Sequence, residues 1–492
     1  MSGKSISGFH SFKRDRSGNH ILPAGMALAI TLSVAFMSLS TPLVAQNIQP
    51  PNPPNSAADE PQSPAQVDST PPPSTGWYDP ATSARLHAMS AKSWGPGGSL
   101  SPDLGDTVLG DAGGVRSALA DYGIAGTFYV SGTQWQNLLK SPTKTNGSQA
   151  YIGQKYTADS FDGVLATYDL SHIGLPGAQI ILDAGCGFST YLPAYGRGCR
   201  ANALSFYDSF FHGRVELSAG ILPGDLEFVN TYVGGNSSTG AFGPQAILPA
   251  QSGLSFQPAV APGLTVTYHL DSNWYDKIGV QRSESPQGVV QEYSYFNPHG
   301  LTFTEPNVKA LVVDELGFRQ TATSNEFSTY VRLGGLYNWT QYTDFSTGGT
   351  NTNWNVYLLG DQQLTRPDSA LPYRGWYGGF SVMESPSDVN VFRTYYEARI
   401  YDISPFASRP FDQFNIVATH ALFSGDARQY YIGQGVYPPQ KDTTSVTVGY
   451  AYKVAHGMYV TPGLTFTNHP SFLTEPGQGH DLNFTLYFIA YL

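Results

Sequence analysis

From about Gly123 onward, apolar and polar positions alternate in runs of about ten residues. In "LTVTYHL", Leu264, Val266, Tyr268 and Leu270 share one face, and Thr265, Thr267 and His269 share the other. In "GRVELSAGI", Val215, Leu217, Ala219 and Ile221 oppose Arg214, Glu216 and Ser218. "SVTVGYAYK" sets Val446, Val448, Tyr450 and Tyr452 against Thr447, Gly449, Ala451 and Lys453. The closing "DLNFTLYFIAYL" keeps Leu482, Phe484, Leu486, Phe488, Ala490 and Leu492 in step. A period of two predicts strands. About sixteen such runs fit between Gly123 and Leu492, an even number, as a bacterial membrane barrel requires. The connections agree. "FHGR", "DSN" and "AHG" are tight turns, and long polar stretches separate them, at Leu222 to Pro262, Ser283 to Pro306 and Ser424 to Asp442. A transmembrane barrel turns tightly in the periplasm and loops widely outside. A soluble sandwich has no reason to alternate in this way. Only the connections between Thr340 and Arg374 are unsorted.

The pattern therefore predicts an all-β fold, a transmembrane antiparallel β-barrel spanning 123–492. Lipid would surround the last strand, and pairing with the first strand would remove the sheet edge. Composition supports this. Charged residues are 13% of the chain, about half the roughly 25% of soluble domains. Tyr and Phe number 31 and 27. The mean hydropathy is only −0.21, too polar for a bundle of membrane helices but natural where every second residue faces water.

Before the barrel, three stretches differ. Residues 1–45 join a basic head (Lys4, Lys13, Arg14, Arg16) to the apolar "ILPAGMALAITLSVAFMSLS" and a small residue at Ala45, the form of a signal peptide; a membrane anchor is the other reading. Losing this leader would move the net charge from −11 to −14, which argues against nucleic-acid binding. Residues 46–77 are Pro-rich and read as a semi-extended linker. Residues 78–122 form a periplasmic segment with a short helix in "GDAGGVRSALADYGI", where Asp111 would cap it, Val115 and Leu119 share a face, and Gly123 ends it. The two cysteines, Cys186 and Cys199, suit a disulfide in an exported chain, with two free thiols as the alternative. No Cys/His cluster has metal-ligand spacing, and no cofactor is expected.

The barrel segments also resemble a known family in their order. "LGDAGGVRSALADYGI", "SFYDSFFHGRVELSAGILPGDLEF", "DSNWYDKIGV", "VDELGFR", "RLGGLYNW", "NVYLLGDQQL", "GDARQYY" and "GMYVTPGLTFTNHP" follow one another as in the carbohydrate-selective porins of the OprB type. The likeness runs from about Gly110 to Leu492. Two features depart from it: the final Leu492, where such barrels usually end in an aromatic, and the Pro-rich linker. The resemblance implies an outer-membrane porin of a Gram-negative bacterium that lets monosaccharides such as glucose diffuse inward. A general porin and a non-conducting adhesin barrel are the alternatives. The partners implied are sugars as permeants, outer-membrane lipid, the barrel-assembly machinery through the C-terminal strand, and a homotrimeric assembly.

A sugar is uncharged, so its pore would select by hydrogen bonds and stacking. Strand parity places Arg214, Glu216, Lys309, Glu315, Arg319, Arg332, Glu397 and Arg399 in the lumen, where opposite signs would set up a transverse field. Structural ion pairs in the wall are the other reading. Asp314 breaks the pattern, since it shares the lipid-facing parity of Leu316 and Phe318. The loop after Ile221 is long, Gly-rich and aromatic. Its Asp225 and Glu227 resemble the family's acidic pair, which would shape the constriction; a surface loop is the plain alternative. An enzyme finds no support: no GxSxG or HExxH motif occurs, and neighbours such as Asp314 and Glu315 point to opposite faces of a strand.

Overall fold

The computed structural model describes residues 79–92, 103–139, 151–190, 198–231, 233, 244–257, 259–288, 291–436, 439–472 and 479–492. The expected signal peptide and the Pro-rich linker lie outside them.

Sixteen antiparallel strands close into one barrel, each paired with its sequence neighbours and β1 with β16. They are β1 (Ile124–Asn137), β2 (Thr157–Asp169), β3 (Gln179–Ser189), β4 (Gly198–Phe210), β5 (Val215–Leu222), β6 (Ala261–His269), β7 (Trp274–Arg282), β8 (Ala310–Gln320), β9 (Thr329–Thr343), β10 (Thr350–Gln363), β11 (Gly375–Glu384), β12 (Phe392–Ile403), β13 (Gln413–Phe423), β14 (Asp442–Ala455), β15 (Met458–Asn468) and β16 (His480–Tyr491). The closing ladder runs from Tyr129 opposite Tyr491 to Asn137 opposite Asn483. Closure satisfies every ladder, which a wall standing in lipid requires.

Alternation along each strand sorts the two faces. On β16, Phe484 and Phe488 are exposed on the outside, while Asp481, Asn483 and Thr485 are buried inside. Each outward Leu or Phe gains about 1.5–3 kcal/mol when lipid replaces water. Aromatic pairs mark the periplasmic rim outside, Trp274 against Phe318 and Trp376 against Phe414, as an interfacial girdle should. The unsorted middle connections have a plain cause. The outer connection after β9 covers only 344–349, while the periplasmic one after β10 covers 364–374.

Asp314 does face outward. So does Asp276 on β7, and a hydrogen bond joins the two side chains. Neither a bulge nor a strand end removes Asp314 from the outer wall, since β7 and β8 pair without a break from Trp274 to Arg282. Cys186 and Cys199 are paired positions of β3 and β4 and form a disulfide.

Two inserts fill much of the interior. The first is the N-terminal segment, with helices α1 (Pro80–Ala88) and α2 (Val115–Ala120). Its Leu86, Met89, Leu104 and Ala120 share a core with Tyr129, Leu165, Ile181, Tyr207, Tyr459, Ile489 and Tyr491 of the wall. The Asp111 carboxylate accepts from Ser117 N at 2.7 Å. Val115 and Leu119 are exposed, so the expected apolar face is not the packed one. The packed face carries Ala120 and Arg116. Arg116 donates to Thr107 Oγ1 and to the carbonyls of Gly110, Leu104 and Gly126, so a charged side chain serves as the segment's internal tie. Gly123 ends the turn at φ +80°. The second insert is the loop after β5.

Candidate functional site

The loop after β5 carries α3 (Gly224–Phe228) and α4 (Pro244–Gln251). Its described residues fold into the barrel rather than over its surface. At its start, Gly224 N donates to Ser255 Oγ and Asp225 N to Ser255 O, each at 2.9 Å, so the two limbs of the loop hold each other. Phe228 and Val229 then join a core with Leu311, Val313, Leu336 and Tyr357 on β8 to β10. Gly279 makes this approach possible, since a side chain there would come within 2.6 Å of the Phe228 ring. Val233 packs with Tyr377, Tyr401 and Val417 on β11 to β13. On the return, Asn338 Nδ2 donates to Ser252 O at 2.8 Å and Phe392 N to Gln251 Oε1 at 3.1 Å.

Two cations of the wall grip the loop's backbone. Arg332 donates through Nη1 to Phe228 O at 2.7 Å and through Nη2 to Asn230 O at 2.6 Å. Lys277 Nζ donates to Glu227 O at 2.9 Å. Its position on β7 carries no distinctive signal in the sequence. The two acids of α3 differ. Glu227 is buried, and Asp225 is half-buried. Burial pushes the Asp225 carboxyl up to about 7, against hydrogen bonds from the backbone of Gln257 and Leu226. Burial also pushes Glu227 up to about 7; Lys277 opposes the shift, and Glu216 and Glu315 add to it. On the far side, Gln257 Nε2 reaches Asp183 Oδ2 on β3 at 3.3 Å, and Tyr129 OH of β1 donates to Asp183 Oδ1 at 2.7 Å. The loop is thus tied to both flanks of the barrel.

The family model for the carbohydrate-selective porin, OprB family, matches residues 135–480. The chain belongs to this OprB family. It is accordingly a porin of the Gram-negative outer membrane through which carbohydrates diffuse. Among solved structures, the high-pH form of Pseudomonas putida OprB is similar at 16% identity, covers 79% of this chain and 98% of its own, and has a TM-score of 0.66. The low-pH form of that protein gives a TM-score of 0.48 at 16% identity, covering 78% of this chain and 98% of its own. The outer-membrane channel DcaP of Acinetobacter baumannii gives 0.45 at 9% identity, covering 75% of this chain and 97% of its own. No curated protein sequence matches the chain.

Within this OprB-family barrel the charges expected in the lumen fall into three groups. Arg332 anchors the loop. Glu315, Glu397 and Arg399 face inward but are buried in the wall. Glu315 accepts from Tyr275 OH at 2.8 Å and Tyr357 OH at 2.9 Å. Arg399 joins Asp361 and Glu397, both at 2.6 Å, and Ser381 Oγ at 2.8 Å. Such pairs stiffen the wall, and breaking one costs several kcal/mol, because it strands a buried charge. Glu216 and Arg319 face the interior near the periplasmic end and remain reachable by water. Arg214 and Lys309 lie outside the strands. Phe211, His212 and Gly213 all have positive φ and form the turn before β5, so strand parity does not extend to Arg214. The Arg214 guanidinium instead sits 5.9 Å from the ring of Tyr268, on the outer face. Lys309 precedes β8 at the outer rim and is exposed.

A second buried network lies at the outer end of β7. Arg282 pairs with Glu292 at 2.5 Å and Glu305 at 2.9 Å. Beside it, burial and the nearby Glu292 raise the Glu284 carboxyl well above the usual range.

Proposed function

We propose that the inward loop is the constriction and that it selects monosaccharides such as glucose. The supporting observation is the pair of wall cations, Lys277 and Arg332, that pin the acidic turn Asp225–Glu227 against β7 to β9. A carboxylate accepts from sugar hydroxyls and an ammonium group donates to them, while Arg332, buried against the ring of Tyr330, serves to hold the loop. Charges of both signs at close range favour a polar neutral solute over a bare ion. In this reading, Asp225 and Glu227 set the width and polarity of the opening, Glu216 and Arg319 line the path below it, and Glu315, Glu397 and Arg399 keep the wall rigid. Delivery by the barrel-assembly machinery through β16 and assembly into a homotrimer belong to the same reading.

Single-channel recording in a planar bilayer tests it. Glucose should reduce the ion current saturably, and an uncharged non-sugar of similar size should reduce it less. Equal effects of the two solutes would leave a general porin. An absence of conductance would favour the adhesin.

A further inference from the structure

The described residues of the two inserts occupy different arcs of the wall, and among them one side of the periplasmic mouth stays uncovered. The N-terminal segment covers the arc from β14 through β16 and β1 to β4. Asp106 is held there by Lys453 Nζ at 2.7 Å, His456 Nδ1 at 2.9 Å and Tyr459 OH at 2.7 Å. Burial alone would raise the Asp106 carboxyl, but the His456 hydrogen bond and the Lys453 charge hold it well below the carboxylate range. Thr167 Oγ1 and Gln179 Nε2 both donate to Met89 O, at 2.7 and 3.0 Å. The arc from β10 to β13 is filled by its own rings. Tyr377 and Tyr401 stack at 5.1 Å, Val233 of the loop packs on them, and Tyr377 OH closes on Tyr373 O at 2.6 Å.

The remaining arc runs from β5 to β9. Here Glu216 and His269 each keep 35% of the side chain exposed, with Nε2 and Oε1 3.1 Å apart. Arg319, at the same level on β8, is exposed and lies 5.7 Å from the Tyr330 ring. On the opposite arc His456 is as open, at 42% of its side chain, but it is held by Asp106 of the plug. The N-terminal segment that closes the opposite side lies before residue 135, where the family match begins.

We propose that permeants leave the pore along β5 to β8, and that Glu216, His269 and Arg319 form a second contact point for polyhydroxylated neutral solutes below the constriction. Residues 79–92 and 103–122 act as a fixed half-plug that directs them there. An acceptor, an imidazole and a five-donor guanidinium within one short arc suit the hydroxyls of such a solute. The contact with sugar rests on the function proposed above. The route does not.

Cysteine accessibility tests the route. Cys186 and Cys199 are bonded to each other, so a single introduced thiol reports alone. Glu216→Cys and Arg319→Cys should react with a charged methanethiosulfonate added from the periplasmic side, and the ion current should fall by tens of per cent. Thr167→Cys and Ile181→Cys, under the plug, should stay unreactive. Heat-modifiable mobility on a detergent gel selects the folded variants, and Thr167→Cys is close to isosteric. Equal reactivity at position 167 and position 319 would overturn the plug. Modification at positions 216 and 319 without loss of current would overturn the exit. The contact is read separately: Glu216→Gln and Arg319→Gln should weaken glucose block several-fold when glucose is added from the periplasmic side. Unchanged block would remove the second contact point. If wild-type protein shows no glucose block, the sugar reading fails while the thiol pattern still decides the route.

Discussion

Replacing Arg332 by Ala should free the constriction loop without unfolding the barrel. The guanidinium makes two charge-assisted hydrogen bonds, to Phe228 O and Asn230 O, in a fully buried setting. Each such bond contributes about 1.5–3 kcal/mol net, and truncation also strands two buried carbonyls. Water entering the vacated space returns part of this, so about 3 kcal/mol of docking energy is lost. At about 1.4 kcal/mol per tenfold, the undocked population of the loop rises about a hundredfold. The strand ladders of β8 and β9 do not use the side chain. The folded protein should therefore still migrate faster than the boiled one. Single-channel records should show a larger mean current, more open-channel noise and weaker glucose block. Arg332→Lys keeps the charge with less reach and should fall between. If Arg332→Ala conducts with wild-type amplitude, noise and glucose block, the loop is not held by Arg332 and the reasoning fails.

Three further outcomes are expected. The Asp225 and Glu227 carboxyls sit near 7, above their unfolded values, so their protonated forms favour the docked loop and this stability is lost as pH rises from about 4 to about 7. Reversal potentials measured at pH 5 and pH 8 should show cation preference growing with pH, and Asp225→Asn with Glu227→Gln should flatten the response. Leu486→Lys places a charge on the lipid face midway along β16, which should cost about 2–4 kcal/mol and lower the temperature at which heat-modifiability is lost. Asp276→Leu with Asp314→Leu should raise that temperature, because it removes a carboxyl pair from the outer wall.

The barrel is legible in the chain because its cause is local. Lipid demands an apolar residue at every second position, and runs such as Phe484, Leu486 and Phe488 record that demand directly. The turn before β5 shows the limit of parity. Three consecutive positive φ values there detach Arg214 from the face on which simple counting puts it. The site is less legible, since burial inside a barrel depends on what fills it. Glu315 and Arg319 lie on one strand with one parity, yet one is sealed between tyrosines and the other is open. The N-terminal segment shows its short helix and the ending Gly123 in the sequence, but its seat inside the barrel leaves no pattern. Its anchors, Leu86, Met89 and Leu104, are spread along a stretch with no period, and its tie is Arg116, a residue whose type points to the surface. Lys277 is a single basic residue on an alternating strand, and only the loop it grips gives it meaning.

The ladder between β1 and β16 has a consequence for the order of events in assembly. Thr127 Oγ1 donates to Leu492 O at 2.8 Å across 365 positions of sequence, and Leu492 N donates to Phe128 O at 2.7 Å. The first strand therefore has no second neighbour until the last one arrives. Such a distant pairing pays its loop entropy before it returns any energy, so the waiting edge of β1 must be shielded during assembly. The N-terminal segment is well placed to do this. It precedes β1 in the chain, and through Val108 N, which donates to Tyr491 O at 2.8 Å, it touches the last strand as well. The segment thus bonds to both strands of the seam, to β1 through Arg116 and Gly126 O and to β16 through Val108 and Tyr491 O.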